Sequence, residues 1–307
     1  MGTIVPPRKR RLSVFALALT CAVLCKRIFR QLSFGNLISQ TTFGVPRVGS
    51  LAIIYVVPAS ELLSLIAIFF LTSIVSVITG STSLITVPVM IGMGMDSRVA
   101  IATNMLALTL MSAGGSLPFV RKGAVSLRQL PLSILLTVVG SLVGALMVLA
   151  VSVQRLQICI AVAMIVVTIF TLAKRDLGLA TEQRPVSAAA VFGGYSLTFL
   201  LAVYGGFFSG GYVTMLTAAF VILFGMTFLQ AVATTKVVNV FSSGVAMLVF
   251  LWRGIVDVRL GVILGVTMFV GAMLGSRIAL SLNKVWLRRI FIAAVVGLAV
   301  RMLWLLR

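Results

Sequence analysis

Histidine is absent from the 307 residues, and carboxylates number only five: Glu61, Asp96, Asp176, Glu182 and Asp257. None of the five falls in the middle of an apolar run. A zinc hydrolase or a metal-ion carrier needs histidines or several carboxylates as ligands, so neither a metal nor a cofactor is expected. An intramembrane enzyme needs a nucleophile with a base beside it. No such set is in sight, so no catalytic residue is assigned and an enzyme is not expected. Cysteine is scarce too. Cys21, Cys25 and Cys159 lie mostly in apolar runs and read as small buried residues. Charge of either sign is rare, at 10% of residues, where soluble proteins carry about 25%.

Apolar sequence is abundant. The chain is 61% hydrophobic, with a mean hydropathy of +1.21. Long apolar runs recur at Leu62–Ile78, Leu130–Val153, Leu156–Ala173, Ala188–Tyr204, Phe228–Trp252, Leu260–Leu282 and Ile290–Leu306. A bilayer core of roughly 30 Å needs about 20 helical residues to cross it, so the chain reads as a multi-pass membrane protein with the lipid bilayer as its surroundings. The net charge of +20 would suggest nucleic acid on a soluble chain. Here the lysines and arginines sit in loops and ends, the pattern of membrane topology signals, and no nucleic-acid partner is expected. Residues 1–60 form a separate basic segment that holds no acid. It reads as a targeting-like stretch, an interfacial helix, or sequence ahead of the true start.

Shifted by 131 residues, the chain matches itself without a gap. Gly80 falls on Gly211, Gly94-Met95 on Gly225-Met226, Thr103 on Thr234, Ser112 on Ser243, Gly123 on Gly254, Arg128 on Arg259, Gly140 on Gly271 and Gly144 on Gly275. Apolar matches are cheap in such a composition, but glycines and an arginine at one offset are not. The expectation is two related transmembrane repeats, 61–174 and 186–307, joined by a polar linker at 175–185. The fold class is all-α: a polytopic membrane protein of about eight transmembrane helices in two repeats with broken or re-entrant half-helices. Counted as re-entrant, the short pieces give four spans per half. That places loops 121–128, 174–184 and 251–259 on one side, which the Lys/Arg bias favours. Counted as spans, they give five per half and an inverted repeat.

Each repeat contains a break, TGSTS at 79–83 and GGFFSGG at 205–211, followed by an apolar piece too short to cross a bilayer. Non-helical backbone at membrane depth survives only where it is buried in protein or lines a wet cavity. Half-helices that begin at such breaks aim N–H groups at the midplane and favour anions. Close helix packing is the other use of small residues there. The second repeat also carries a lysine inside an apolar run, ATTKVVN. Lys236, Asn239 and Ser243 share one helical face, about 12 Å into the segment. An intramembrane charge is a functional-site hypothesis by default; the alternative is a lysine held by backbone carbonyls in a buried crevice. The matching positions in the first repeat are Thr103, Asn104, Met105 and Leu108. The candidate substrate-binding set is Lys236, Asn239, Thr235, Thr234, Thr103, Asn104, Gly80, Ser81, Gly210 and Gly211.

LITVPVMIGMG (84–94), VAIATNML (99–106), RKGAVSL (121–127), YGGFFSGG (204–211) and QAVATTKVVNVFSS (230–243) with the following LWRGIVD resemble the TauE/SafE family of bacterial transporters. The resemblance covers nearly the whole chain from Glu61 on. It implies a multi-pass permease or exporter of the bacterial inner membrane, built from two related halves, for small sulfur-containing anions or organosulfonates. The first break departs from the glycine run usual in the family. A secondary transporter for a small anion is therefore the expectation, with a homodimer as a further partner expectation. The alternative is a non-transporting membrane assembly or accessory protein.

Overall fold

A computed structural model of the protein describes residues 47–49, 52–54, 58–80, 82–173 and 185–281. The basic segment up to residue 46, the linker at 174–184, Ser81 and the final apolar run lie outside the described residues. A short antiparallel hairpin, β1 (Arg47–Gly49) and β2 (Ala52–Ile54), precedes the helices. The helices are α1 (Ala59–Thr79), α2 (Ser83–Gly92), α3 (Ser97–Arg121), α4 (Leu130–Ala150), α5 (Val153–Ala173), α6 (Ala188–Phe207), α7 (Tyr212–Leu223), α8 (Phe228–Trp252) and α9 (Val258–Ser281). Among the described residues, six helices are long and apolar enough to cross a membrane: α1, α3, α4, α6, α8 and α9. The protein is thus helical and polytopic. α5 adds a long helix of 21 residues, while α2 and α7 have 10 and 12, about half a bilayer core at helical rise.

Local chemistry sets the boundaries. Asp96 caps α3, its carboxylate accepting from the N–H groups of Arg98 and Val99. Thr227 and Gln230 form a reciprocal capping box at the start of α8. Six glycines adopt positive φ: Gly80, Gly94, Gly123, Gly211, Gly225 and Gly254. Left-handed backbone is cheap only for glycine, and these six end helices or reverse the chain. They form three pairs with the separation of Gly80 from Gly211. α3 and α8 also begin and end at that separation.

Direction follows from contacts. The Thr103 hydroxyl near the start of α3 accepts a 3.0 Å hydrogen bond from the Asp257 N–H, just before α9. Reciprocally, Thr234 near the start of α8 accepts from the Ser126 N–H at 3.0 Å. Each loop that ends a long helix therefore meets the beginning of the other long helix, so α3 and α8 run antiparallel. Loops 122–129 and 253–257 lie at opposite ends of the bundle. This corrects the expectation that both face one side. The charge bias misled because loop 253–257 is held to α3 by the bond from the Asp257 N–H to the Thr103 hydroxyl, which a count of arginines does not register. Thr103→Val removes the bond to the Asp257 N–H and Thr234→Val the bond to the half-buried Ser126 N–H, at up to about 1–3 kcal/mol each. Thermal unfolding in detergent should show both variants destabilised, with the double substitution close to additive because the latches are far apart.

The halves interlock. α9 packs against α1 and α3, while α4 packs against α6 and α8. Small residues make these contacts close. A Cβ on Gly140 would lie 2.8 Å from the Phe199 carbonyl, and one on Gly144 2.0 Å from that of Val203. On the other side, a Cβ on Gly271 would lie 2.9 Å from the Phe70 carbonyl, and one on Gly275 would clash with that of Ile74. In lipid, helix association depends on such close backbone approach rather than on hydrophobicity. Exposed Leu132, Leu135, Val139, Leu142 and Leu146 leave an apolar face on α4, as expected of a surface turned to lipid.

Candidate functional site

α1 and α2 form one helical hairpin and α6 and α7 another. α7 folds back along α6: Phe224 at its end stacks on Tyr195 at a centroid distance of 4.9 Å. The two hairpins enter from opposite ends of the bundle, and their breaks meet at mid-height. A Cβ on Gly80 would approach the Thr214 nitrogen to 2.7 Å, and one on Gly210 would approach Leu84 to 2.8 Å. The Thr214 hydroxyl donates to the Thr79 carbonyl at 2.5 Å. Matching bonds pin each short helix to its long one. Thr86 donates to Asn104 Oδ1 at 2.8 Å, and Thr217 pairs with Thr235 at 3.1 Å.

A cavity of about 10 Å³ lies where these pieces converge, lined by Gly80, Thr82 and Ser83 from the first break, Ser209 and Val213 from the second, Leu108 and Met111 from α3, and Lys236 and Asn239 from α8. That volume admits at most about one water, so the site is closed in this conformation. Lys236 is 1% exposed. Its ammonium donates to the Ser76 carbonyl at 3.1 Å. Ser76 lies in the last turn of α1, and its carbonyl also accepts from the Gly80 N–H at 2.8 Å. The negative end of a helix dipole thus offsets part of the charge. Asn239 Nδ2 donates to the Ser112 hydroxyl at 2.6 Å, and its Oδ1 is buried without a partner. An amide flip exchanges the two ends; the hydroxyl then donates to the amide oxygen and the NH2 group turns to the cavity.

The sequence-derived set divides. Lys236, Asn239 and Gly80 come together at the cavity. Asn104 stands behind it, donating to the lining residue Ser83 at 2.9 Å. Gly211 caps α7, and the Gly210 carbonyl accepts from the Tyr204 hydroxyl at 2.5 Å. Thr235 faces α7, while Thr103 and Thr234 are the loop latches. Ser81 lies outside the described residues. Sequence reasoning passed over Thr82, Ser83 and Ser209, which sit inside the quoted breaks, and Ser76, which carries no sequence signal because its carbonyl does the work. Among the described residues no group of histidine, cysteine or carboxylate side chains is placed to hold a metal.

Helical hairpins entering from opposite ends, breaks meeting at mid-depth and a buried cation beside them define a class: polytopic membrane transporters with discontinuous helices. Comparison with known proteins makes this specific: residues 65–302 match the family described as "Sulfite exporter TauE/SafE", and the chain belongs to it. It is 30% identical over 240 residues to the probable membrane transporter protein YfcA of Escherichia coli strain K12, covering 76% of this chain and 86% of that one. Similarity to the probable membrane transporter protein ORF9 of Sinorhizobium sp is 29% over 237 residues, 76% and 89% of the two chains. A probable membrane transporter protein of Haemophilus influenzae is 27% identical over 224 residues, covering 73% and 87%. No solved structure matches. The protein is a multi-pass membrane transporter of the bacterial inner membrane.

Proposed function

We propose that the protein is a secondary transporter for a small anion, a sulfur oxyanion or organosulfonate, and that it works without a cofactor and catalyses no reaction. The observation that carries this reading is the Lys236 ammonium at a closed mid-membrane cavity, bonded to a single helix-end carbonyl among the described residues. An ammonium has three donors, and a carbonyl dipole offsets less than a full charge. An anion brings the missing charge together with acceptor oxygens for Thr82, Ser83, Ser209 and the flipped Asn239 amide. Half-helix N-termini at both breaks add backbone dipoles of the favourable sign. The description of the matched family as sulfite exporters directs the choice toward sulfur oxyanions.

In this mechanism the anion competes with the Ser76 carbonyl for Lys236. Taking the ammonium away frees the end of α1, and the left-handed Gly80 and Gly211 are the points about which the hairpins move. The cavity must enlarge to accept cargo, which makes the described state the closed one. A negative-inside potential contributes about 2.3 kcal/mol per charge per 100 mV, so export of a monovalent anion runs downhill without a coupling ion.

The test is counterflow and potential-driven flux in proteoliposomes against sulfite, thiosulfate, taurine, sulfoacetate and chloride. Saturable flux of at least one sulfur anion, faster with the interior negative for efflux, is the expected result. No flux of any anion would overturn the reading.

A further inference from the structure

α8 carries a second polar face that the Lys236 cavity does not use. Ser242 pairs with Ser141 on α4 at 2.7 Å. Ser133, Thr137 and Ser141 follow one another at helical spacing along α4, and all three are 0% exposed. Tyr212, the first residue of α7, is also wholly buried, its hydroxyl directed toward Thr137 and Ser242. Ser133 Oγ has no hydrogen-bond partner among the described residues, and Thr137 Oγ1 and the Tyr212 hydroxyl face each other without forming a bond of normal geometry. Buried hydroxyls are normally paired, so a seam with one orphan and two hydroxyls that face each other unbonded needs a reason.

Packing does not supply it. The positions 131 residues further on from Ser133, Thr137 and Ser141 are Leu264, Met268 and Ala272, and the counterpart of Ser242 is Met111. All four are buried. At these four positions the other half therefore packs apolar side chains.

The seam has a direction. Ser141 and Ser242 sit near mid-height in their helices, and Ser133 lies in the first turn of α4. That turn follows loop 122–129, where Lys122 and Arg128 are exposed, next to the exposed Arg121 at the end of α3. The column thus runs from mid-membrane to a basic mouth, whose charges would raise the local concentration of anions. Only the first turn of α7 separates it from the cavity: Val213 lines the cavity while the adjacent Tyr212 reaches into the seam. The column holds donors without a carboxylate, which suits an anion better than a cation.

We propose that the seam between α4, α7 and α8 is a hydroxyl-lined half-path for the anion, joining the Lys236 cavity to the membrane face at which α4 begins. The first turn of α7, hinged at Gly211, is its inner gate. This rests on the anion-transport reading and adds the route.

The experiment uses the full chain with Cys21, Cys25 and Cys159 replaced by serine. Ser133→Cys, Thr137→Cys and, as the mirror control, Met268→Cys are treated in proteoliposomes with a sulfonate-bearing methanethiosulfonate reagent. Thr137→Cys and Ser133→Cys should react at least about ten-fold faster than Met268→Cys, and sulfoacetate, an anion that does not attack the reagent, should slow them. Labelling of both no faster than the mirror control would overturn the proposal. In parallel, Thr137→Val, which keeps the shape and removes the hydroxyl, should lower sulfite flux about ten-fold while sulfite still raises the protein's melting temperature as in the wild type; unchanged flux would also overturn it. Fast labelling in a protein that moves no anion would refute the transport reading and leave a hydrated seam standing.

Discussion

Lys236→Met is expected to abolish transport, with at least about a hundred-fold loss of flux, while the protein inserts and folds at least as well as before. Methionine is the residue 131 positions earlier, Met105, which is buried. It keeps most of the lysine's volume, so the substitution removes the charge without opening a hole. A lysine at membrane depth costs roughly 2.5–3.5 kcal/mol on insertion scales. One bond to the Ser76 carbonyl returns part of that. Replacing a poorly compensated buried charge by a packed apolar side chain is often neutral or stabilising. The two readouts should therefore separate, with flux lost and melting temperature held or raised. Lys236→Ala should lose flux equally but also some stability, because it adds a cavity. Full activity in either variant would remove Lys236 from the site, and a collapse in folding of Lys236→Met would make the lysine a structural brace for α1.

The second large effect concerns Gly144. Gly144→Leu should prevent accumulation of folded protein altogether, read as loss of the monodisperse peak in detergent chromatography. Any side chain there starts 2.0 Å from the Val203 carbonyl oxygen and 2.7 Å from the Phe207 nitrogen. Both are backbone atoms of α6, so no rotamer change relieves the clash. The helices must separate, and with them goes the close contact of Gly206 against Ser141, so tight that a Cβ on Gly206 would clash with the Ser141 carbonyl oxygen. Losing such an interface exceeds the roughly 4–5 kcal/mol that marks exceptional single substitutions. Gly92, which has nothing within 4 Å of its would-be Cβ, should tolerate alanine with little change. A folded Gly144→Leu protein would show that α4 and α6 are not in the contact described.

The legible and illegible parts of the site differ in kind. Lys236 and Asn239 stood out because a polar stripe in an apolar run needs no partner to be noticed. Gly80 stood out because a break in a membrane-length segment is itself anomalous. The partners of Thr103 and Thr234 were hidden. Both look like further members of the polar set, yet each hydroxyl serves a loop N–H of the other half, a pairing with no local signature. Ser76 was invisible for a related reason: its contribution is a main-chain carbonyl, which every residue has.

Membrane insertion is local and nearly additive, each residue contributing its own transfer free energy along the segment. That is why composition and runs alone determined a polytopic helical protein, the places where its helices break, and the oddity of one buried lysine. Lateral assembly is neither local nor additive. Lipid is as apolar as leucine, so hydrophobicity does not choose between neighbours, and the choice falls to shape. Which face of α4 finds α6, which face of α9 finds α1, and whether α3 and α8 run together or oppositely depend on glycines meeting carbonyls across helices far apart in the chain. Only the tertiary structure decided those, and with them the meeting of two breaks around a single charge.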